Sequence, residues 1–297
     1  MKIYHLASLI AFSLVLGCSS RKPDATAKIV IKGQNDLPTA EIGDQGKAAP
    51  QAATAEEAAT EGDVAAESEM RSLQWNYAGA GPAKWAGLDE SFVLCGKGLE
   101  QSPVNLKWTK PMVGRKISFM YAPGVFQVEA QTQKLQVTFG KGNHTMIDDQ
   151  RWNLVAMQLH TPAEHSFSKK TFPLEVQLVH YDDAQSKLGI VAVVFREGKP
   201  NQGLETLLKH LPKAVPGREF VENEPLNPSL FLPLVTTHYA YSGSITYPPC
   251  TEGVSWTVLN TPVDASKEQI AALKKLVGGG NARPAQPLNH RKPVNYN

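Results

Sequence analysis

Long apolar runs, cysteines and excess charge of either sign are all scarce in this sequence. The longest largely apolar stretch, Leu6 to Leu16, is about half of the roughly 20 residues a helix needs to cross a bilayer, so no ordinary membrane span is expected. The formal net charge is only +2, which gives no basis for a nucleic-acid partner. The balance is uneven, with six basic and ten acidic side chains in residues 1–70 and 24 basic against 18 acidic beyond them. A surplus of that size reads as a mixed, solvated surface. Aromatic residues are absent between Ser19 and Arg71, which excludes a packed core there. With 42% hydrophobic residues in the whole chain, the remainder is well able to build one.

What stands at the start is a secretion-type pattern. Lys2 and His5 lead into the apolar run, which ends at Leu14-Val15-Leu16-Gly17-Cys18. This resembles a bacterial lipobox and implies removal of residues 1–17 and lipid modification of Cys18. Ser19, rather than aspartate, follows the cysteine, which implies delivery to the outer membrane, on its periplasmic side or at the cell surface. Lipidation uses one of the three cysteines and leaves Cys95 and Cys250 to pair. An oxidising compartment would keep that bridge closed. Closing a loop of 154 intervening residues should stabilise the fold by about 5 kcal/mol through lost chain entropy.

Residues 18–71 are rich in Ala, Glu, Gly, Pro and Lys and read as a flexible tether. Ala48–Glu69 favours transient helix, but it has no apolar stripe to bury. The folded domain is expected over 72–297, where Trp75, Tyr77 and Trp85 arrive abruptly. Strand-like runs follow at Lys116–Tyr121, Leu135–Phe139, Trp152–His160, Leu174–Tyr181 and Leu188–Phe195. Two helices are predicted. One covers Gly203–Leu211, and the other covers Ser266–Val277, with Ser266 and Gln269 as a capping box and Gly278 to Gly280 as its end. The fold class is mainly β with a few short helices.

The segment from Ser242 to Trp256, Ser-Gly-Ser-Ile-Thr-Tyr-Pro-Pro-Cys-Thr-Glu-Gly-Val-Ser-Trp, closely resembles the α-carbonic anhydrase signature. Trp75-Asn76-Tyr77, Gly81-Pro82 with Trp85, Gln101 to Asn105, Glu164-His165, Leu178 to His180 and Asn281 to Gln286 follow the family's order. The resemblance spans about residues 72–291. It implies a large twisted, mostly antiparallel sheet with a conical cleft, and it places the family's usual disulfide on Cys95 and Cys250.

In that family three histidines hold a zinc ion whose bound water, at a pKa near 7, becomes the hydroxide that attacks carbon dioxide. Two of them lie two apart on one strand, because alternate residues share a face, and the neighbouring strand supplies the third. Anchoring on Glu164-His165 and Pro162 puts the first two positions at Gln158 and His160, and the next strand puts the third at Gln177. Two of the three ligands are therefore glutamine, which offers only a neutral amide oxygen to a metal. The proton-shuttling histidine aligns at Gln133, which cannot titrate. Ala156 replaces a glutamine that supports a ligand histidine, and Tyr247 replaces a small residue beside the catalytic threonine. Thr246 and Glu164 remain, and the resemblance implies that they hydrogen-bond each other and would orient a zinc hydroxide. His165 and His180 match structural histidines outside the metal shell, while Ile245, Val254, Val179 and Trp256 match the apolar side of the cleft.

Three readings follow. The first is a zinc-free, catalytically inactive module that binds an envelope or extracellular ligand while anchored at Cys18, with no cofactor. The second is a working zinc-dependent carbonate dehydratase with an atypical metal site. The third is a structural protein of the envelope.

Overall fold

Apolar residues recur with period two through most of the chain beyond residue 100, a pattern that is buried only when strands pair. In the computed structural model, which describes residues 75–79 and 81–297, one large sheet meets that demand. The signal segment 1–17, Cys18, the tether to residue 71 and the helix considered at Ala48–Glu69 lie outside the described residues.

The first elements are a short helix α1 (Leu94–Lys97) and the strands β1 (Asn105–Leu106), β2 (Ile117–Met120), β3 (Gly124–Gln131), β4 (Lys134–Phe139) and β5 (His144–Ile147). Then come β6 (Gln150–His160), β7 (Ser166–Phe167), β8 (Leu174–Asp182), β9 (Lys187–Glu197), helix α2 (Gln202–Lys209) and β10 (Gly217–Leu226). The chain closes with β11 (His238–Ser244), β12 (Glu252–Ala265), helix α3 (Lys267–Leu276) and β13 (Val294–Tyr296). The sheet runs β10-β3-β4-β6-β8-β9-β12-β11-β13, with β5 paired to β6 and carrying β2. Its pairs are antiparallel except β9 with β12, whose long connection allows the crossover that parallel pairing requires. A separate parallel pair joins β1 to β7.

Alternation sorts the central strands into two faces. Leu135 and Val137, Met157 and Leu159, and Val176 and Leu178 point into the main core, which Leu204 and Leu207 of α2 and Leu273 of α3 help to close. The residues between them, Gln136, Gln158, His160, Glu175 and Gln177, fall on the other face. The capping box forms as expected, with Ser266 and Gln269 each bonding the other's backbone, and Gly278 and Gly279 end α3 at positive φ. Helix α2 stops two residues short of the predicted Leu211. His210 leaves helical geometry there, and its ring bonds Glu219 and Glu224 of β10 at 3.0 Å each. The Cys95–Cys250 disulfide forms in a second cluster with Trp85 and Phe92.

Candidate functional site

Register assembles the site. Gln158 of β6 lies opposite Gln136 of β4 on one side and Gln177 of β8 on the other, so three glutamines form a row across three strands. His160, next on the same face of β6, lies opposite Glu175. Gln158, His160, Glu175 and Gln177 are all buried. The predicted ligand positions are thus brought together.

Its hydrogen bonds are not those of a ligand set. The Gln177 amide nitrogen donates to Glu164 Oε2 at 2.7 Å and to Glu175 Oε1 at 2.9 Å. Two carboxylates require donors, so they fix which way the amide points. The Gln158 amide nitrogen donates to Gln136 Oε1 at 3.0 Å and to the Tyr247 hydroxyl at 3.2 Å. His160 donates from Nδ1 to the carbonyl of Asn281 at 2.8 Å, which leaves its buried Nε2 without a partner.

Glu164 and Thr246 correct one expectation. They are both buried, yet they do not hydrogen-bond each other. Glu164 Oε2 takes the Gln177 amide, Oε1 takes the backbone N–H of Arg283 at 2.8 Å, and Thr246 Oγ1 is left without a partner. A carboxamide has two N–H groups where a metal-bound imidazole has one, and the second is the one that reaches Glu164.

Aromatic side chains fill what would be the cleft. The Tyr247 ring stacks on Trp75, with centroids 6.0 Å apart and planes 11° from parallel, and Trp75 meets Tyr77 and Trp85 edge-on. The space left among Trp75, Tyr77, Gln158, His160 and Tyr247 is about 10 Å³, room for one water at most. Burial, with the charge of Glu164 adding to it, pushes the phenol of Tyr247 upward, and it pushes Tyr77 further, so both hydroxyls stay protonated. Gln133 sits at the β3–β4 turn with φ at +67° and accepts the Tyr77 backbone N–H at 2.9 Å. It pins the aromatic cover and relays nothing.

His165 and His180 do structural work. His165 bonds Glu175 at 2.9 Å and the Tyr241 hydroxyl at 2.7 Å. Burial pushes the Glu175 carboxyl up, but the charge and bonds of His165 outweigh it, and the net displacement is downward. Ile245, Val254, Val179 and Trp256 are buried. Gln136 is a site residue that the sequence reading did not single out; parity could have found it, because it alternates with the apolar Leu135 and Val137. Asn281 stands at the start of the Asn281 to Gln286 motif, but the motif does not foretell its bond to His160.

Among the described residues, no three His, Cys, Asp or Glu side chains are grouped to hold a metal. The donor chemistry agrees with that. Zinc wants imidazole, thiolate or carboxylate lone pairs converging on one point, and here two of the three positions have only a neutral amide oxygen to give. The residues present do not fit a zinc ion.

The family model described as eukaryotic-type carbonic anhydrase matches residues 80–297. A carbonic anhydrase of Pectobacterium carotovorum is 36% identical over 221 residues, 74% of this chain and 90% of that protein. A hyperthermostable carbonic anhydrase from a hydrothermal vent chimney superimposes with a TM-score of 0.71 at 33% identity, covering 75% of this chain and all of that one. A dioscorin complexed with ascorbate gives a TM-score of 0.68 at 30% identity, covering 75% and 98%. With its signature, its sheet and its buried site in the family's positions, the chain belongs to the α-carbonic anhydrase family.

Proposed function

We propose that this domain is a metal-free, catalytically silent member of its family that acts by binding a ligand, held in the bacterial envelope by a lipid on Cys18. One observation carries the reading: the Gln177 amide donates to both Glu164 and Glu175. A glutamine there offers zinc only a neutral amide oxygen in place of an imidazole, and the carboxylate that would orient a hydroxide is already bonded to the amide. Losing even a supporting hydrogen bond behind a ligand costs about 10- to 100-fold in metal affinity or activity, and exchanging two ligands costs more. A dioscorin of the same fold, solved with ascorbate, supports the idea that such a scaffold can serve as a binder.

The test is elemental analysis of the protein purified without added metal, together with its rate of carbon dioxide hydration. The expected result is substoichiometric zinc and no rate above buffer. One zinc per chain with clear turnover would make it a working carbonate dehydratase instead.

A further inference from the structure

Between Glu100 and Glu129 the chain holds no acidic residue, while Lys107, Lys110, Arg115 and Lys116 all fall within that interval. Residues 107–114 are exposed without interruption. Three of them are large and apolar: Trp108 is 52% exposed, Met112 59% and Val113 88%. Isolated exposed hydrophobic residues are ordinary, but three within six positions, interleaved with lysines, form a patch that marks an interaction surface.

The patch is held rigid. The Trp108 indole stacks on the buried Phe167, with centroids 5.0 Å apart, and its backbone N–H donates to Ser168 Oγ at 3.3 Å. Asn295 ties the rest down, donating to the Thr109 carbonyl at 2.7 Å and accepting the Met112 N–H at 2.8 Å. The apolar tips are thus presented on a fixed backbone, so little ordering would be needed on docking. Stacking on Phe167 also brings Trp108 beside the turn at Ser168–Lys170, which adds the exposed Lys169 and Lys170. Acidic charge bounds the patch on one side. Asp148 pairs with Arg115 at 3.6 Å, and both, with Asp149, line a hollow that Val113 also lines. The uncompensated charge is therefore that of Lys107, Lys110, Lys169 and Lys170, around Trp108.

We propose that this face docks on an anionic phospholipid bilayer, with Trp108, Met112 and Val113 entering the interface and the four lysines meeting the headgroups. An indole and flanking lysines suit that boundary, where one end of each side chain is apolar and the other wet. A soluble polyanion would satisfy the lysines but leave Met112 and Val113 in water. The inference goes beyond the binding role proposed for the domain and does not depend on the cleft. With a lipid on Cys18, this face would supply the second of the two weak signals that stable membrane attachment requires.

The experiment uses the full chain carrying Cys18→Ser, so that no acyl group contributes. It is sedimented with vesicles of phosphatidylcholine alone and of phosphatidylcholine with phosphatidylglycerol. Binding is expected only to the second, falling about fivefold for each lysine removed in Lys107→Ala and Lys110→Ala. Brominated lipid should quench tryptophan emission, and Trp108→Phe should remove most of that quenching, because Trp85, Trp152 and Trp256 are buried and Trp75 is half-buried against Tyr247. Lys107→Ala, Lys110→Ala and Trp108→Phe change exposed residues and should keep the urea midpoint of the Cys18→Ser parent. Equal binding to neutral vesicles, an unchanged affinity in the double lysine variant, or capture by a soluble acidic polysaccharide without vesicle binding would each overturn the proposal. None of these results bears on metal content, so a failure here is separable from a failure of the binding-module reading.

Discussion

The Gln177 amide nitrogen lies 2.7 Å from Glu164 Oε2, while the buried Thr246 hydroxyl makes no hydrogen bond. One amide bonds both Glu164 and Glu175, which the single free N–H of a metal-bound imidazole at residue 177 could not do.

Restoring both histidines, Gln158→His with Gln177→His, should raise zinc affinity by more than about 100-fold, given what far milder changes around metal sites cost. Isothermal titration with zinc measures it. Hydratase activity should stay low in this double variant because Tyr247 still fills the cleft, and it should rise only when Tyr247→Thr is added. A double variant that takes up no zinc would show that the strands no longer hold the ligand positions at metal distance.

Tyr247→Thr alone removes the stack on Trp75 and the bond to Gln158. The ring is partly exposed, so the cost should be about 2 kcal/mol, below that of a fully buried aromatic. Urea unfolding gives the stability, and acrylamide quenching of tryptophan emission should increase as Trp75 loses its cover. Unaltered quenching would mean that the segment around Trp75 seals the cleft without Tyr247.

Replacing the buried disulfide, Cys95→Ser with Cys250→Ser, should lower stability by about 2–5 kcal/mol, since the bridge spans 155 positions. The denaturation midpoint of this variant should be insensitive to reductant, whereas that of the parent should fall when thiol is added. A parent midpoint that ignores reductant would contradict the assigned pairing.

Stability should fall on mild acidification through His180. Burial pushes its pKa down to about 3 from the ordinary 6.5. The ring donates to the Leu178 carbonyl at 2.9 Å and meets the hydroxyls of Tyr121 at 2.6 Å and Thr145 at 3.0 Å, with no charged group among its hydrogen-bond partners. The unfolded chain thus binds a proton that the folded chain refuses. The contribution is complete above about pH 6.5 and is lost as pH falls toward 3, in total about 5 kcal/mol. His238, also depressed by burial, acts in the same direction, and His210, raised by Glu224 and Glu219, opposes both. The depressed Glu175 adds its loss only below its ordinary carboxylate range. Urea melts between pH 7 and 4.5 isolate the histidines, and His180→Asn should flatten the slope by up to one proton. An identical slope in that variant would refute the assignment.

Much of this was legible in the sequence, for physical reasons. Alternation located β4, β6, β8 and β9, whose observed limits exceed the predicted ones by no more than two residues at either end. It also put Gln158, His160 and Gln177 on one face. The capping box was readable because Ser266 and Gln269 act locally. By contrast β10, a charged edge strand reading Gly-Arg-Glu-Phe-Val-Glu-Asn-Glu-Pro-Leu, has only weak apolar alternation, and β12 is interrupted by a register shift around Pro262. The site's new hydrogen bonds were not legible either. Which oxygen of Glu164 meets which donor depends on Arg283, 119 residues away, and the aromatic cover depends on the turn at Gln133 that holds Tyr77.

Trp75 and Tyr77 are part of the cleft wall, yet both precede residue 80, where the family match begins. A fragment trimmed to that homologous core would lose two of the rings that plug the site. Affinities measured on it would describe a pocket that the longer polypeptide keeps shut, so ligand screening should start upstream of Trp75.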